Sequence, residues 1–173
     1  VNHEINKQSE ILASAPFILG QGLLMGGRMV KGALIRGVLP TEEAGVSDLS
    51  DSLKQGKWND LESGKWQIVL GSELARQLGV AVGQKVTLVA PKGQITPAGL
   101  LPRLKRFTVA GIFELGMYEH DSGLAILHLD DAVRLFKTGG AVSGLRLKLA
   151  DLYQAPRIRE QLSRSLGAAY RVT

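Results

Sequence analysis

Residues 89–113 read VAPKGQITPAGLLPRLKRFTVAGIF, and the prolines in this stretch leave few ways to fold it. Two runs with strand character, 85–90 and 106–113, flank a segment bracketed by Pro91 and Pro102, with Pro97 and Gly99 near its middle. Proline has a fixed φ and no N–H to donate to a sheet. The spacing therefore predicts a protruding β-hairpin arm, 91–102, whose ladder stops at the bracketing prolines. Ile95, Leu100 and Leu101 lie within it, and apolar side chains on a projecting arm mark a docking surface. From Leu74 to Phe113 there is no acidic residue but six basic ones, Arg76, Lys85, Lys92, Arg103, Lys105 and Arg106. This segment is more positive than the whole chain, whose net charge is +5.

A chain of 173 residues buries a real core and makes one large domain or two small ones. Its 21 glycines and few aromatics (two Trp, three Tyr, four Phe) predict many turns and a core of Leu, Val, Ile and Ala. The basic balance points to an acidic protein or anionic headgroups; no aromatic stacking platform adjoins the basic run, so no nucleic acid is expected. Without cysteine there is no disulfide and no thiolate-bound metal. No apolar run approaches a membrane span and no signal peptide is visible; the opening VNHEINKQSE resembles the interior of a protein, so an excised soluble domain is expected.

In order along the chain, the apolar runs 17–25 and 28–38, joined by Gly26-Gly27, predict a hairpin. Residues 40–66 read as a polar connection holding a short helix over 48–54. A strand at 68–70 leads into a helix at 72–78, capped by Ser72 and stopped by Gly79. Residues 116–123 read as a loop, 125–129 as a strand, and Asp130 as the cap of a helix through Phe136. Leu145, Leu147 and Leu149 alternate with Arg146 and Lys148, as in a strand with one face in water. Pro156 opens a helix that Gly167 closes, and 170–172 reads as a final strand.

Catalytic signals are weak. Gly20, Gly22 and Gly26 sit in a hairpin, not before a helix that would hold a phosphate. Ser72 lacks the glycine two residues later that a nucleophile elbow requires. Glu119, His120 and Asp121 form the best acid–base cluster, but their spacing is not that of a metal site, and His3 and His128 have no assignable partner. No cofactor, metal or catalytic residue is expected. The basic run 103–106, coupled to a stiffened apolar arm, favours protein docking over a merely solvated face.

The segments APFILGQGLLMGG, IRGVLPTEE, IVLGSELARQLGVAVGQKVTLVAP, TPAGLLPRLKRFTVAGIFELGMYEHDSGLAILHLDDAVRLF and VSGLRLKLADLYQAP resemble the periplasmic domain of lipoprotein-releasing (Lol-type) ABC transporter permeases. More distantly, the layout is similar to the periplasmic core domain of macrolide-exporter-type permeases. The resemblance implies an α+β fold of two small mixed α/β subdomains: a Porter-like one from 1–40 plus 140–173 and a Sabre-like one from 41–139 that carries the arm. It implies an inner-membrane permease with its periplasmic domain between transmembrane helices. Its partners would be a cytoplasmic ATPase subunit, a sister or identical permease, lipoprotein cargo and a soluble periplasmic lipoprotein carrier.

In that family a hairpin hook grips the carrier, helped by a polar patch. The hook corresponds here to Pro91, Lys92, Gly93, Gln94, Ile95, Thr96, Pro97, Ala98, Gly99, Leu100, Leu101 and Pro102. The patch falls at Thr87, Leu104 and Lys105, of which only Lys105 is cationic, so Arg103 or Arg106 is expected to share its work. The carrier-recruiting or single-type permease is favoured because TPAGLLP is similar to the carrier-binding hook. The alternative is the lipoprotein-receiving sister or an exporter-type domain whose basic arm contacts lipid. The stretch before Pro16 is shorter than the family's first strand and helix require.

Overall fold

In a computed structural model the described residues are 5, 9–97, 99–167 and 171–173, with 92–96 and 100 described in backbone only. The expected hairpin is present. β1 (Ile11–Gly26) and β2 (Met29–Val38) pair from Phe17↔Val38 to Gly26↔Met29. Gly27 and Arg28 are left as a two-residue turn, and Gly27 takes the left-handed φ of 56° that such a turn requires.

β2 runs parallel to β7 (Leu124–His128), which is antiparallel to β4 (Gln67–Gly71). β4 is parallel to β6 (Gly99–Phe113), and β6 is antiparallel to β5 (Lys85–Thr96). β5 then returns to β1 over Leu23↔Val89 to Met25↔Thr87. The pairings thus close into a ring of six strands, which leaves few free edges. Two strands attach outside the ring: β3 (Leu53–Gly56) to β6, and β8 (Gly144–Leu149) to the Ile11–Phe17 half of β1.

Alternation along the strands divides the core between two faces. One face carries Leu24, Ile35, Ile68, Leu70, Leu88 and Phe107, closed by Leu74 and Leu78 of α2 (Ser72–Leu78) and Ala132 and Leu135 of α4 (Leu129–Phe136). The other carries Val38, Val69, Phe113 and Ile126, covered by Leu49, Trp58 and Leu61 from the segment 40–66. A third, smaller cluster joins Ile5 to Ile158 and Leu162 of α5 (Ala155–Leu166), against the Leu145, Leu147 and Leu149 face of β8. The architecture is α+β, as expected. The first half of β1 pairs with β8 and its second half with the ring.

Several local expectations are corrected. The helix of the 40–66 segment is α1 (Pro40–Val46), where Pro40 occupies a position that needs no amide donor. Residues 48–54 are no helix: Leu49 is buried, and Leu53 begins β3 opposite Phe113. The expected loop 116–123 contains α3 (Tyr118–Gly123). Neither expected side-chain cap forms: α2 is capped by Gly71 without a side-chain bond, and on α4 the His128 ring accepts from Asp130 N. Gly79 (φ 65°) and Gly167 (φ 69°) do end their helices. Of the expected final strand 170–172, residue 170 lies outside the described residues, and 171–172 have no regular structure.

Candidate docking surface

β5 and β6 pair from Lys85↔Thr108 to Ala90↔Arg103, and again from Gln94↔Leu101 to Thr96↔Gly99. The ladder therefore does not stop at Pro91 and Pro102. It shifts register there, with residues 91–93 facing Pro102 alone, so both prolines sit in an irregularity where no donor is required. Beyond Val89, β5 has no described partner except β6, while β4 pairs with β6 only from Thr108 onward. The far part is a two-stranded arm standing off the ring.

Of the hook residues, Pro91, Pro97, Gly99 and Pro102 are exposed, and Leu101 is 54% exposed. Gly99 turns the chain at φ 112°, which a side chain would strain. Ala98 lies outside the described residues, as do the side chains of Lys92, Gln94, Ile95, Thr96 and Leu100; Gly93 is described in backbone only.

The patch residues divide between the two faces of the arm's base. Thr87 lies opposite Arg106, and Val89 opposite Leu104, which is 62% exposed. Arg103 is committed to the body: its Nη1 donates to the Leu135 carbonyl at 3.1 Å, near the negative end of α4. Lys105 places Nζ 3.9 Å from the centre of the Trp66 ring, a cation–π contact. Thr87, Leu104, Lys105 and Arg106 line a depression of about 520 Å³ together with Lys65, Trp66, Lys85 and Thr108, a lining without a carboxylate.

Sequence reasoning missed Trp66, which lines this depression. Trp66 adopts φ 53°, a left-handed conformation that a bulky residue holds only under constraint. The constraint is Asp131, fully buried, whose carboxylate accepts from Gly64 N at 2.8 Å and Trp66 N at 3.1 Å. Phe107 meets the ring edge-on, with centroids 5.7 Å apart. The only sequence signal was a tryptophan in a glycine-containing loop, because its anchor lies 65 residues away.

Residues 2–165 match the MacB-like periplasmic core domain. The chain belongs to this family. It is 46% identical over 152 residues to the lipoprotein-releasing system transmembrane protein LolC of Neisseria meningitidis, a match covering 88% of this chain and 37% of that protein. LolC of Xylella fastidiosa is 40% identical over 163 residues, 94% of this chain and 39% of the relative. LolE of Haemophilus influenzae is 28% identical over 153 residues, 87% and 36% respectively. The chain thus spans under two fifths of the length of these relatives. Among solved structures, the extracellular domain of the Gram-positive transporter YknZ superposes with a TM-score of 0.66 at 12% identity, covering 99% of this chain and 86% of that one. The periplasmic region of MacB from Actinobacillus actinomycetemcomitans gives 0.60 at 20%, covering 95% and 70%. Both show the fold.

In this periplasmic core domain no helix among the described residues is long and apolar enough to cross a membrane. The acid–base cluster is divided by its geometry. Asp121 is buried and accepts from Leu115 N at 2.7 Å and Gly116 N at 3.0 Å, holding the entry to α3, whereas Glu119 and His120 are exposed. His128 caps α4, and His3 lies outside the described residues. Gly20 and Gly22 serve packing: a Cβ on Gly20 would strike the Phe136 ring at 2.3 Å, and one on Gly22 the Leu88 side chain at 2.6 Å. Among the described residues no group of three or more potential metal ligands is gathered.

Proposed function

We propose that this chain is the periplasmic domain of a lipoprotein-releasing ABC transporter permease and that its β5–β6 arm recruits the soluble periplasmic lipoprotein carrier. The observation that carries the reading is the 46% identity to LolC across 88% of the chain. The domain is a non-catalytic coupling module. A cytoplasmic ATPase subunit supplies the energy, and a sister or identical permease completes the membrane part that holds the lipoprotein cargo. The two-subdomain division, with a Porter-like unit around Ile158 and Leu162 and a Sabre-like unit bearing the arm, belongs to the same reading.

The physical support lies at the arm. Leu101 on the two-stranded projection and Leu104 at its base are large apolar side chains left in water, the usual mark of an anchor. Hook residues Lys92, Gly93, Gln94, Ile95, Thr96, Ala98 and Leu100 complete the gripping surface in this reading. Pro91, Pro97 and Pro102 stiffen the arm, which lowers the ordering cost of roughly 0.5–1.5 kcal/mol for each side chain immobilised on binding. Lys65, Lys85, Lys105 and Arg106 form the cationic rim that steers a partner rich in carboxylates. Arg103 supports the arm through Leu135 instead of meeting the partner.

A pull-down with the carrier of the same organism tests the proposal. Leu101→Asp should lose capture while keeping the circular dichroism spectrum of the parent, and capture equal to the parent's would defeat the hook. The 28% likeness to LolE supports a second reading, a sister permease whose basic arm meets anionic lipid. Under that reading the chain ignores the carrier and sediments with anionic vesicles in a salt-sensitive manner.

A further inference from the structure

The face of the ring opposite α2 and α4 is only partly covered. Over β4 and β7 the segment 40–66 buries Val69, Leu124 and Ile126, and on β2 the cover reaches Val38 and ends. Beyond it the same face carries Leu19, Leu23 and Met25 on β1 and Val30 and Leu34 on β2, each between 38% and 49% exposed. Register sets them side by side: Gln21 opposite Leu34, Leu23 opposite Gly32, Met25 opposite Val30, with Val89 of β5 on the other flank of Leu23. Gly32 has no side chain, and a Cβ there would meet nothing within 4 Å. The strip is therefore hollowed into a mostly apolar trough of about 560 Å³ bounded by Leu23, Leu34, Val89 and Pro91.

The one charged residue on this strip is Arg36, next after Leu34 on the same face of β2 and opposite Leu19. Its Nε is buried without a hydrogen-bond partner. Desolvation, joined by the neighbouring Arg146 cation, pushes the guanidinium pKa below its ordinary value. The nearby carboxylate, Glu43, is already engaged by Arg146 Nη1 at 3.0 Å and Ser47 Oγ at 2.8 Å. Two guanidinium groups against one buried carboxylate leave a positive charge that lacks a counter-charge, a costly arrangement unless an anion completes it.

We propose that the strip binds an anionic amphiphile, with a single acyl chain in the trough and its anionic head on Arg36. The dimensions favour one chain. From Val30 to Arg36 the strip extends roughly 20 Å at strand rise, and the trough volume falls within the range of small-ligand sites. A protein partner would bring many polar groups, and on β1 and β2 the strip has only Gln21 and Arg36 to receive them. The trough meets the base of the carrier-docking arm at Val89 and Pro91, and its test is read with the chain alone, without carrier.

Calorimetric titration of the chain with sodium decanoate below its micelle concentration, and in parallel with decanol, tests the proposal. Saturable one-to-one decanoate binding is expected. Arg36→Gln should weaken decanoate by about tenfold and leave decanol unchanged. Gly32→Leu fills the open floor without a clash and should abolish both, with circular dichroism confirming that both variants fold. The proposal is overturned by no saturable decanoate binding, by binding unchanged in Gly32→Leu, or by equal effects of Arg36→Gln on the two probes. Sedimentation showing self-association that Gly32→Leu abolishes would also overturn it, assigning the strip to a second copy of the chain.

Discussion

At the scale of single residues, buried carboxylates position the surface without taking part in it. Asp131 receives two backbone amides and the Arg134 Nη1 at 3.4 Å, and through them holds the strained Trp66 under Lys105. Asp131→Ala leaves both amides unpaired and should lower unfolding free energy by about 2–4 kcal/mol, read from urea midpoints. The exposed pair Glu73–Arg76 behaves differently. Side-chain hydrogen bonds from Arg76 (2.8 and 2.6 Å) hold the Glu73 carboxyl below its ordinary pKa, and a smaller contribution comes from Gln77. In Arg76→Gln that carboxyl should titrate at higher pH by NMR, with little change in the melting temperature because the pair is exposed.

At the scale of elements, the arm is detachable and the ring is not. Past Ala90 and Arg103 the arm pairs only with itself among the described pairings, so excising residues 93–101 should change the unfolding free energy, read from urea midpoints, by no more than about 0.5 kcal/mol. Gly71, the last residue of β4 before α2, is the opposite case. A Cβ there would lie 2.3 Å from the Asp121 carbonyl oxygen, backbone that cannot give way, so Gly71→Ala should cost about 1–3 kcal/mol by the same measurement. Elements defined by neighbours in sequence were legible: the β1–β2 hairpin from Gly26-Gly27, the alternation of β8, and the stops at Gly79 and Gly167. The proline arm was legible as a hairpin but not in its ladder, because the register shift that accommodates Pro91 and Pro102 leaves no mark in composition.

At the scale of the whole molecule, closure of the ring depends on contacts that local pattern does not encode. β5 meets β1 over only three residue pairs, from Leu23↔Val89 to Met25↔Thr87, and no periodicity in either strand announces that meeting. The site was legible for the same reason in part only: Leu101, Leu104 and Lys105 stand out in a basic, proline-rich run, whereas Trp66 enters through the fold. Trp58 lies in one core cluster and Trp66 packs against the other, so ring unfolding followed by tryptophan fluorescence and by far-UV circular dichroism should coincide. The small cluster of Ile5, Ile158 and Leu162 should exchange its amide hydrogens faster than β4 and β6, since three buried side chains give it little to resist local opening. Recruitment of the carrier by the arm is read by calorimetric titration of the carrier into the intact chain and into the chain lacking residues 93–101. Saturable binding by the intact chain, weakened at least tenfold by the deletion, is the predicted result. Equal binding by both, or none by the intact chain, would contradict it.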